Sequence, residues 1–349
     1  MKSISKTSLI IRIILSVLIV LTGTLFFVFE TDIEKSISGD MVSAIEKADF
    51  KMHVIDVGQG DSIFLQFSDD KTMLVDCGKT NQTSKLDSFL KGMGISKIDY
   101  LVYTHSDEDH IGGGQYVFEN YEVDILYRPK RLSQQEAEKY GNPNGYKIHN
   151  TKAYDNAILS AYNEDGCLMK YSFEGEEIIG LDYKIKFLNP DKDTYADSNA
   201  YSAVLMIEVN GRKILLSADA EKEVESRLIE DYQNYLDADI LKVSHHGSKT
   251  GSSKEFLDVV TVDYALISVG ENQWNMPHEE VLTRLKNAEV KNIFSTNESG
   301  TIALGISDEG VIAVYGLNEQ FDLDMPIIIG VLIVLLLLVW GIKFTKKET

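Results

Sequence analysis

Cysteine is scarce in this sequence, and basic charge is outweighed by acidic. The 349 residues contain two cysteines, Cys77 and Cys167, and neither lies in a CxxC pair. That excludes a disulfide framework and a zinc ribbon. Lys plus Arg number 34 against 54 Asp plus Glu, a formal net charge of −20. Such a balance argues against a surface built to grip nucleic-acid phosphates over a wide footprint; a nucleic-acid substrate would need a local basic site or metal ions. Aromatic residues interleaved with Lys and Arg, as in single-strand stacking platforms, are missing too. No internal repeat or low-complexity segment interrupts the chain. What remains is an ordinary globular balance, 44% hydrophobic and 25% charged, on a chain long enough to bury a large core.

The two ends are far more apolar than the average. Ile13 to Phe29 carries no charge and follows Lys2, Lys6 and Arg12; Met325 to Ile342 carries none and precedes Lys343, Lys346 and Lys347. At roughly 1.5 Å per helical residue each run comes close to the thickness of a bilayer core. Positive flanks outside both spans put both termini in the cytoplasm and the middle on the far side of the membrane. The first span also has the basic start and apolar centre of a signal peptide, but no small-x-small cleavage site follows it. The expected organisation is an N-terminal transmembrane helix or signal anchor (1–30), a linker or short juxtamembrane helix (31–49), a catalytic domain (50–318) and a C-terminal transmembrane helix with a basic tail (319–349). The lipid bilayer is then a partner through both ends. Without the six terminal basic residues and Glu348, the middle carries a formal charge of about −25.

Within the middle, MHVIDVG, SIFLQF and TMLVDCG read as an antiparallel meander, short apolar runs separated by turn residues. Helices at Ser84–Met93 and Thr151–Asn163 then alternate with strands IDYLVYT and VDILYRP. YSAVLMIEV and RKILLSAD form a hairpin through Asn210 and Gly211. A helix from about Glu221, the strand ADILKVS, a helix near Ser253–Val260, the strand VDYALISVG, a helix at His278–Asn287 and three closing strands complete one α/β domain. Its economical form is two sheets packed face to face with helices outside.

Chemistry gathers where strands end. IDYLVYT runs directly into His105, Asp107, Glu108, Asp109 and His110, followed by three glycines. Imidazoles and carboxylates are ligands for Zn, Mn or Fe, and a tight loop can aim them at ions a few ångströms apart. In isolation the run would be a solvated acidic turn. Three further strand ends weigh against that: Asp219 in ILLSAD, where a carboxylate is costly unless bound or exposed, His245 and His246 in ILKVSHHGS, and Asp56 and Asp61 flanking GQG. Singly, these would be a helix cap, a surface pair and turn residues. His53, inside a strand, and His149, in a polar loop, read as structural or exposed. Cys77 reads as a small buried side chain.

The ordered segments HVIDVGQGDS, MLVDCG, THSDEDHIGG, NAYSAVLMIEVNGRKILLSAD, LKVSHHGS and STNESGTI resemble the metallo-β-lactamase-fold hydrolases, and among them the hydrolase domain of ComEC-type DNA-uptake proteins. The resemblance covers about residues 51–316. It implies a four-layer αββα sandwich holding one or two divalent ions, Zn or Mn, at the strand ends. It carries the family's HxHxDH motif onto His105, Asp107, Asp109 and His110, its bridging aspartate onto Asp219, and its last histidine onto His245 or His246. Asp107 stands where the general pattern has histidine. The usual middle histidine is missing, with Asn199 and Ser202 near its place. The implied chemistry is attack by hydroxide formed from metal-bound water on a phosphodiester, with a nuclease as the family case; Asp109 orients the nucleophile and His278 protonates a leaving group or binds substrate. An envelope component or small ester is the alternative substrate, better tolerated by an acidic domain, and a non-catalytic metal-binding sensor is the alternative from another class. Only two apolar spans exist, so this chain lacks the polytopic channel of ComEC proteins.

Overall fold

The computed structural model describes residues 14–17, 19, 39–316, 335 and 339. The two expected membrane spans lie almost wholly outside these residues; among the described residues no helix is long and apolar enough to cross a membrane. By internal contacts, residues 44–319 form one compact unit.

Helix α1 covers residues 39–47, and the sheets of the unit open with the meander β1 (Phe50–Val54), β2 (Ile63–Gln66) and β3 (Thr72–Val75), antiparallel throughout. The chain then changes mode. Helix α2 (Thr83–Gly92) carries it to β4 (Lys97–Val102), and the short α3 (Glu108–Ile111) with α4 (Gly114–Asn120) carries it to β5 (Glu122–Arg128). After a small excursion, β6 (Leu132–Ser133), α5 (Gln134–Tyr140) and β7 (Ile148–His149), helix α6 (Lys152–Asn163) leads to β8 (Leu168–Tyr171). Strands β3, β4, β5 and β8 are mutually parallel.

The second sheet repeats this scheme. β9 (Glu177–Ile179), β10 (Tyr183–Asn189), β11 (Val204–Val209) and β12 (Arg212–Leu216) are antiparallel. The Asn210–Gly211 turn joins the last two, with φ of 50° and 72°, the left-handed pair that a tight hairpin requires. Then α7 (Lys222–Tyr232), β13 (Ile240–Lys242), α8 (Lys254–Val260), β14 (Tyr264–Ile267), α9 (Glu279–Asn287) and β15 (Asn292–Ser295) extend it in parallel. After α10 (Thr296–Ser299), strands β16 (Ile302–Ile306) and β17 (Ile312–Gly316) return to the first sheet beside β1.

Three apolar layers show how the elements stack. Met52, Val54 and Leu65 of the first sheet meet Phe187, Leu205 and Ile214 of the second in one buried cluster. The other face of the first sheet packs Phe64, Leu74 and Leu101 on α2, α4 and α6. The other face of the second packs Met206, Leu215 and Leu241 on α7, α8 and α9. The architecture is therefore αββα. Strand alternation explains it, since neighbouring residues point to opposite faces and both faces must be covered. Each fully buried Leu, Ile or Val contributes about 1.5–3 kcal/mol. Cys77 is fully buried in the helix-side layer, as expected, and burial pushes its thiol pKa well up.

The site follows from topology. Parallel strands present all their C-terminal ends at one rim, where side chains from separate loops converge. Here β3 delivers Asp76, β4 delivers His105 to His110, β12 delivers Asp219 and β13 delivers His245 and His246.

Candidate metal centre

Two backbone features bring the loops together. Gly60 (φ 144°) lies where a Cβ would come within 2.3 Å of the Asp109 carbonyl, so only glycine lets the GQGD loop touch the loop after β4. The Asp61 amide completes that contact by donating to the same carbonyl at 3.1 Å. After β13 the chain turns through His245 (φ 47°), His246 (φ 53°) and Gly247 (φ 79°). Consecutive left-handed residues are costly for side chains with a Cβ and persist where packing enforces them. The consequence is that the two histidines approach Asp219 from different sides.

The four imidazoles share one arrangement, in which Nδ1 is engaged behind the site and Nε2 faces Asp219. His110 Nδ1 lies 2.7 Å from Asp76 Oδ2. His245 Nδ1 lies 3.0 Å from Glu221 Oε1, and His246 Nδ1 lies 2.9 Å from the Ser268 carbonyl. His105 Nδ1 meets Thr104 Oγ1 at 3.1 Å; that hydroxyl donates to Asp76 Oδ2 at 2.6 Å, so it accepts from the imidazole. Fixing Nδ1 fixes both ring orientation and tautomer, and leaves Nε2 as the ligand atom.

The Nε2 atoms divide between the two oxygens of Asp219. His110 and His246 lie 3.3 and 3.7 Å from Oδ1, while His245 and His105 lie 3.6 and 3.9 Å from Oδ2. Asp109 Oδ2 is 3.6 Å from His246 Nε2, on the first side, and Asp107 Oδ2 is 3.8 Å from His105 Nε2, on the second. One half-site thus comprises Asp109, His110 and His246, the other His105, Asp107 and His245, with Asp219 between them. His245 occupies the side that lacks the middle histidine. Ser202, near the place of the missing middle histidine, accepts from the Asp219 amide at 3.3 Å, and Ser198 donates to Asp107 at 3.2 Å.

These residues fit a divalent cation. His105 Nε2, His110 Nε2, His246 Nε2 and Asp219 Oδ1 are buried without a hydrogen-bond partner, a costly arrangement for polar atoms unless something binds them. Asp109, His110 and His246, the first half-site, place ligand atoms within 4.8 Å of one another; so do His105, His110 and Asp219, a set that runs across the boundary between the two halves. Without a cation the charges compensate each other through protons. Burial would lower the His246 pKa, but the Asp219 and Asp61 carboxylates raise it to about 10. Burial likewise opposes protonation of His110, which Asp219 and Asp76 push well above the usual range. The Asp109 carboxyl, which burial alone would raise, is held at about 2 by the neighbouring His246 and His110 imidazoles. His105 is different: burial and the His110 charge lower its pKa.

The sequence reading thus locates seven residues that converge, His105, Asp107, Asp109, His110, Asp219, His245 and His246. His278 sits at the N-terminus of α9 and is bonded to the turn that follows His246, its Nδ1 accepting from the Lys249 amide at 3.3 Å and its own amide donating to Gly247 O at 2.9 Å. Asp56 is a turn residue, bonded to the Gly58 amide and Lys85. Three contributors were not foreseen. Asp76 and Glu221 orient His110 and His245, and Lys242 sits 2.8 Å from Asp61, which in turn lies 3.2 Å from His246 Nδ1. A carboxylate ending the apolar strand of VDCG was a visible signal for Asp76, of the same kind as SAD for Asp219.

The family model for the metallo-beta-lactamase superfamily matches residues 55–271. The chain belongs to this superfamily. Family and site together make it a metal-dependent hydrolase of the metallo-beta-lactamase fold. Among curated proteins it is 29% identical over 292 residues to ComE operon protein 3 of Bacillus subtilis, covering 78% of this chain and 35% of that protein. It is 28% identical over 274 residues to competence protein ComA of Neisseria gonorrhoeae, covering 77% and 34%. The chain therefore spans about a third of the length of these relatives. Among solved structures, the metallo-beta-lactamase fold protein YhfI from Bacillus subtilis aligns with a TM-score of 0.48 at 12% identity, covering 76% of this chain and 99% of that one.

Proposed function

We propose that the chain is a membrane-anchored, extracytoplasmic phosphodiesterase, with a nuclease as the leading case, that uses one or two Zn or Mn ions. The observation that carries the reading is the set of four imidazole Nε2 atoms directed at the two oxygens of Asp219. His105, Asp107 and His245 would hold one ion and Asp109, His110 and His246 the other, with Asp219 shared. A divalent ion held there acidifies water and polarises a scissile P–O bond. The chain's own groups do the rest. Asp109, ionised and at the partly exposed edge of the site, would orient the attacking oxygen by accepting a hydrogen bond from it, and Asp76, Glu221 and Ser268 O keep the imidazoles in register. The likeness to competence proteins supports nucleic acid as the substrate, and the apolar, basic-flanked ends support membrane anchoring with both termini cytoplasmic. The acidic surface favours a second reading, hydrolysis of a small ester or envelope component.

The experiment is hydrolysis by the full chain, solubilised in detergent and loaded with Zn or Mn. Substrates are single-stranded DNA, RNA, a cyclic dinucleotide, bis-p-nitrophenyl phosphate and p-nitrophenyl acetate. Turnover of the phosphodiesters that is abolished by Asp109→Ala is expected. Turnover of the acetate alone would replace the first reading with the second. Externally added protease should cleave the middle domain in intact cells, and full protection would overturn the topology.

A further inference from the structure

Carboxylates outnumber cations in this chain, so its described arginines have ample partners. Arg128 pairs with Glu136, Arg212 with Asp239, Arg227 with Glu174 and Arg284 with Glu280, at 2.6 to 3.4 Å. Arg131 is the exception: among the described residues no carboxylate lies within ion-pair distance of it. Among those residues its one side-chain hydrogen bond runs from Nη1 to Ser106 Oγ at 2.9 Å, and Ser106 separates the two ligands His105 and Asp107. Its Nε is buried and has no partner. The guanidinium lies 5.1 Å from the Tyr201 ring centroid, next to Ser202, which holds the Asp219 amide.

The mount behind this side chain is rigid. The Arg131 carbonyl accepts from Tyr154 Oη at 2.8 Å and from Arg128 Nη2, and its amide donates to the Pro129 carbonyl at 2.8 Å. Arg128 is itself locked by the bidentate pair with Glu136, at 2.8 and 2.9 Å. The neighbouring His149 adds no competing charge, because burial and the Arg131 guanidinium lower its pKa. A fixed cation beside the half-site of His105 and Asp107, with Nη2 and Nε unspent, matches a planar pair of anionic oxygens.

We propose that Arg131 binds a non-bridging oxygen of an anionic phosphodiester at the metal centre and so selects charged over neutral esters. The inference rests on the phosphodiesterase reading above. Losing a charge-assisted bond costs about a 10- to 100-fold drop in affinity. The test uses the full chain, metal-loaded in detergent, as wild type, Arg131→Gln and Arg131→Lys. It measures kcat and KM on bis-p-nitrophenyl phosphate and p-nitrophenyl acetate, and inorganic phosphate binding by calorimetry.

Arg131→Gln should lower kcat/KM on the phosphodiester by about 10- to 100-fold, mainly through KM, leave the acetate within about threefold, and weaken phosphate binding. Arg131→Lys, which keeps the charge without the fork, should fall between. Equal losses on both substrates, or unchanged phosphate affinity, would overturn the proposal, the former because it would mark a structural role through Ser106. If the wild type cleaves no phosphodiester, the parent reading fails separately. Phosphate affinity then still decides Arg131: weakening by Arg131→Gln supports it and an unchanged value refutes it.

Discussion

Replacing Lys242 by Met should be among the most damaging single changes to this domain, although the residue touches no substrate. Ile240 and Lys242 lie on the same face of β13, pointing between the sheets. There Lys242 is wholly buried, with Nζ 2.8 Å from Asp61 Oδ2 and 3.2 Å from the Val243 carbonyl. Burial alone would raise the Asp61 pKa, but the Lys242 and His246 charges hold it well below the usual carboxylate range. The pair therefore ties the GQGD loop of one sheet to a strand of the other, directly behind His246. Removing one member of a buried ion pair leaves the other charge uncompensated, at about 3–5 kcal/mol, whereas removing both is much milder. Urea denaturation of the metal-free protein, followed by circular dichroism, should give that loss for Lys242→Met. Adding Asp61→Asn should recover at least about 2 kcal/mol of it. A loss under about 1 kcal/mol, or strictly additive single and double mutants, would refute the reasoning.

Three further outcomes follow from the same geometry. His53 is buried against Phe64 and Phe89, and burial, with Lys51 nearby, lowers its pKa from 6.5 to about 4. The unfolded chain then binds the extra proton, so this contribution is intact above pH 6.5 and lost as pH falls toward 4. Between pH 7 and 4, His53→Phe should lose about 3 kcal/mol less stability than wild type, and parallel curves would contradict the assignment. His245→Ala and His246→Ala remove imidazoles from opposite sides of Asp219. Each should lower bound metal by about one ion per chain in elemental analysis, and a variant with undiminished metal would exclude that histidine as a ligand. Asp76→Asn should weaken metal affinity by about 10- to 100-fold in chelator competition with the fold preserved, and unchanged affinity would deny Asp76 its orienting role.

Much of this arrangement could be read from residue order because the strands that build the core are short, apolar and punctuated. Met52, Val54 and Leu65 alternate with residues turned to the helices, and the ligands sit where such runs stop. The parts that were missed lack that contrast. Strand β8 is an edge strand with Leu168 half exposed, and β9 is another edge, in the polar stretch GEEIIG with Ile179 at 73% exposure, so neither carries a strong apolar period. Helix α5 does carry a local signature, the capping box of Ser133 and Glu136, but it is a single pair in a polar stretch. Lys242 was invisible for a physical reason: a lysine in ILKVS reads as the solvent face of a strand, and only the pairing of two sheets brings Asp61 opposite it. The choice between His245 and His246 also had no answer in one dimension, since the left-handed turn gives each histidine its own side of Asp219.

The central claim is that Asp219 stands between two cation half-sites. Anomalous diffraction from crystals of the zinc- or manganese-loaded protein tests it most directly. Peaks beside Asp219, one contacted by Asp109, His110 and His246 and one by His105, Asp107 and His245, are the predicted result. Metal bound elsewhere, or histidine Nε2 atoms turned away from Asp219, would contradict it.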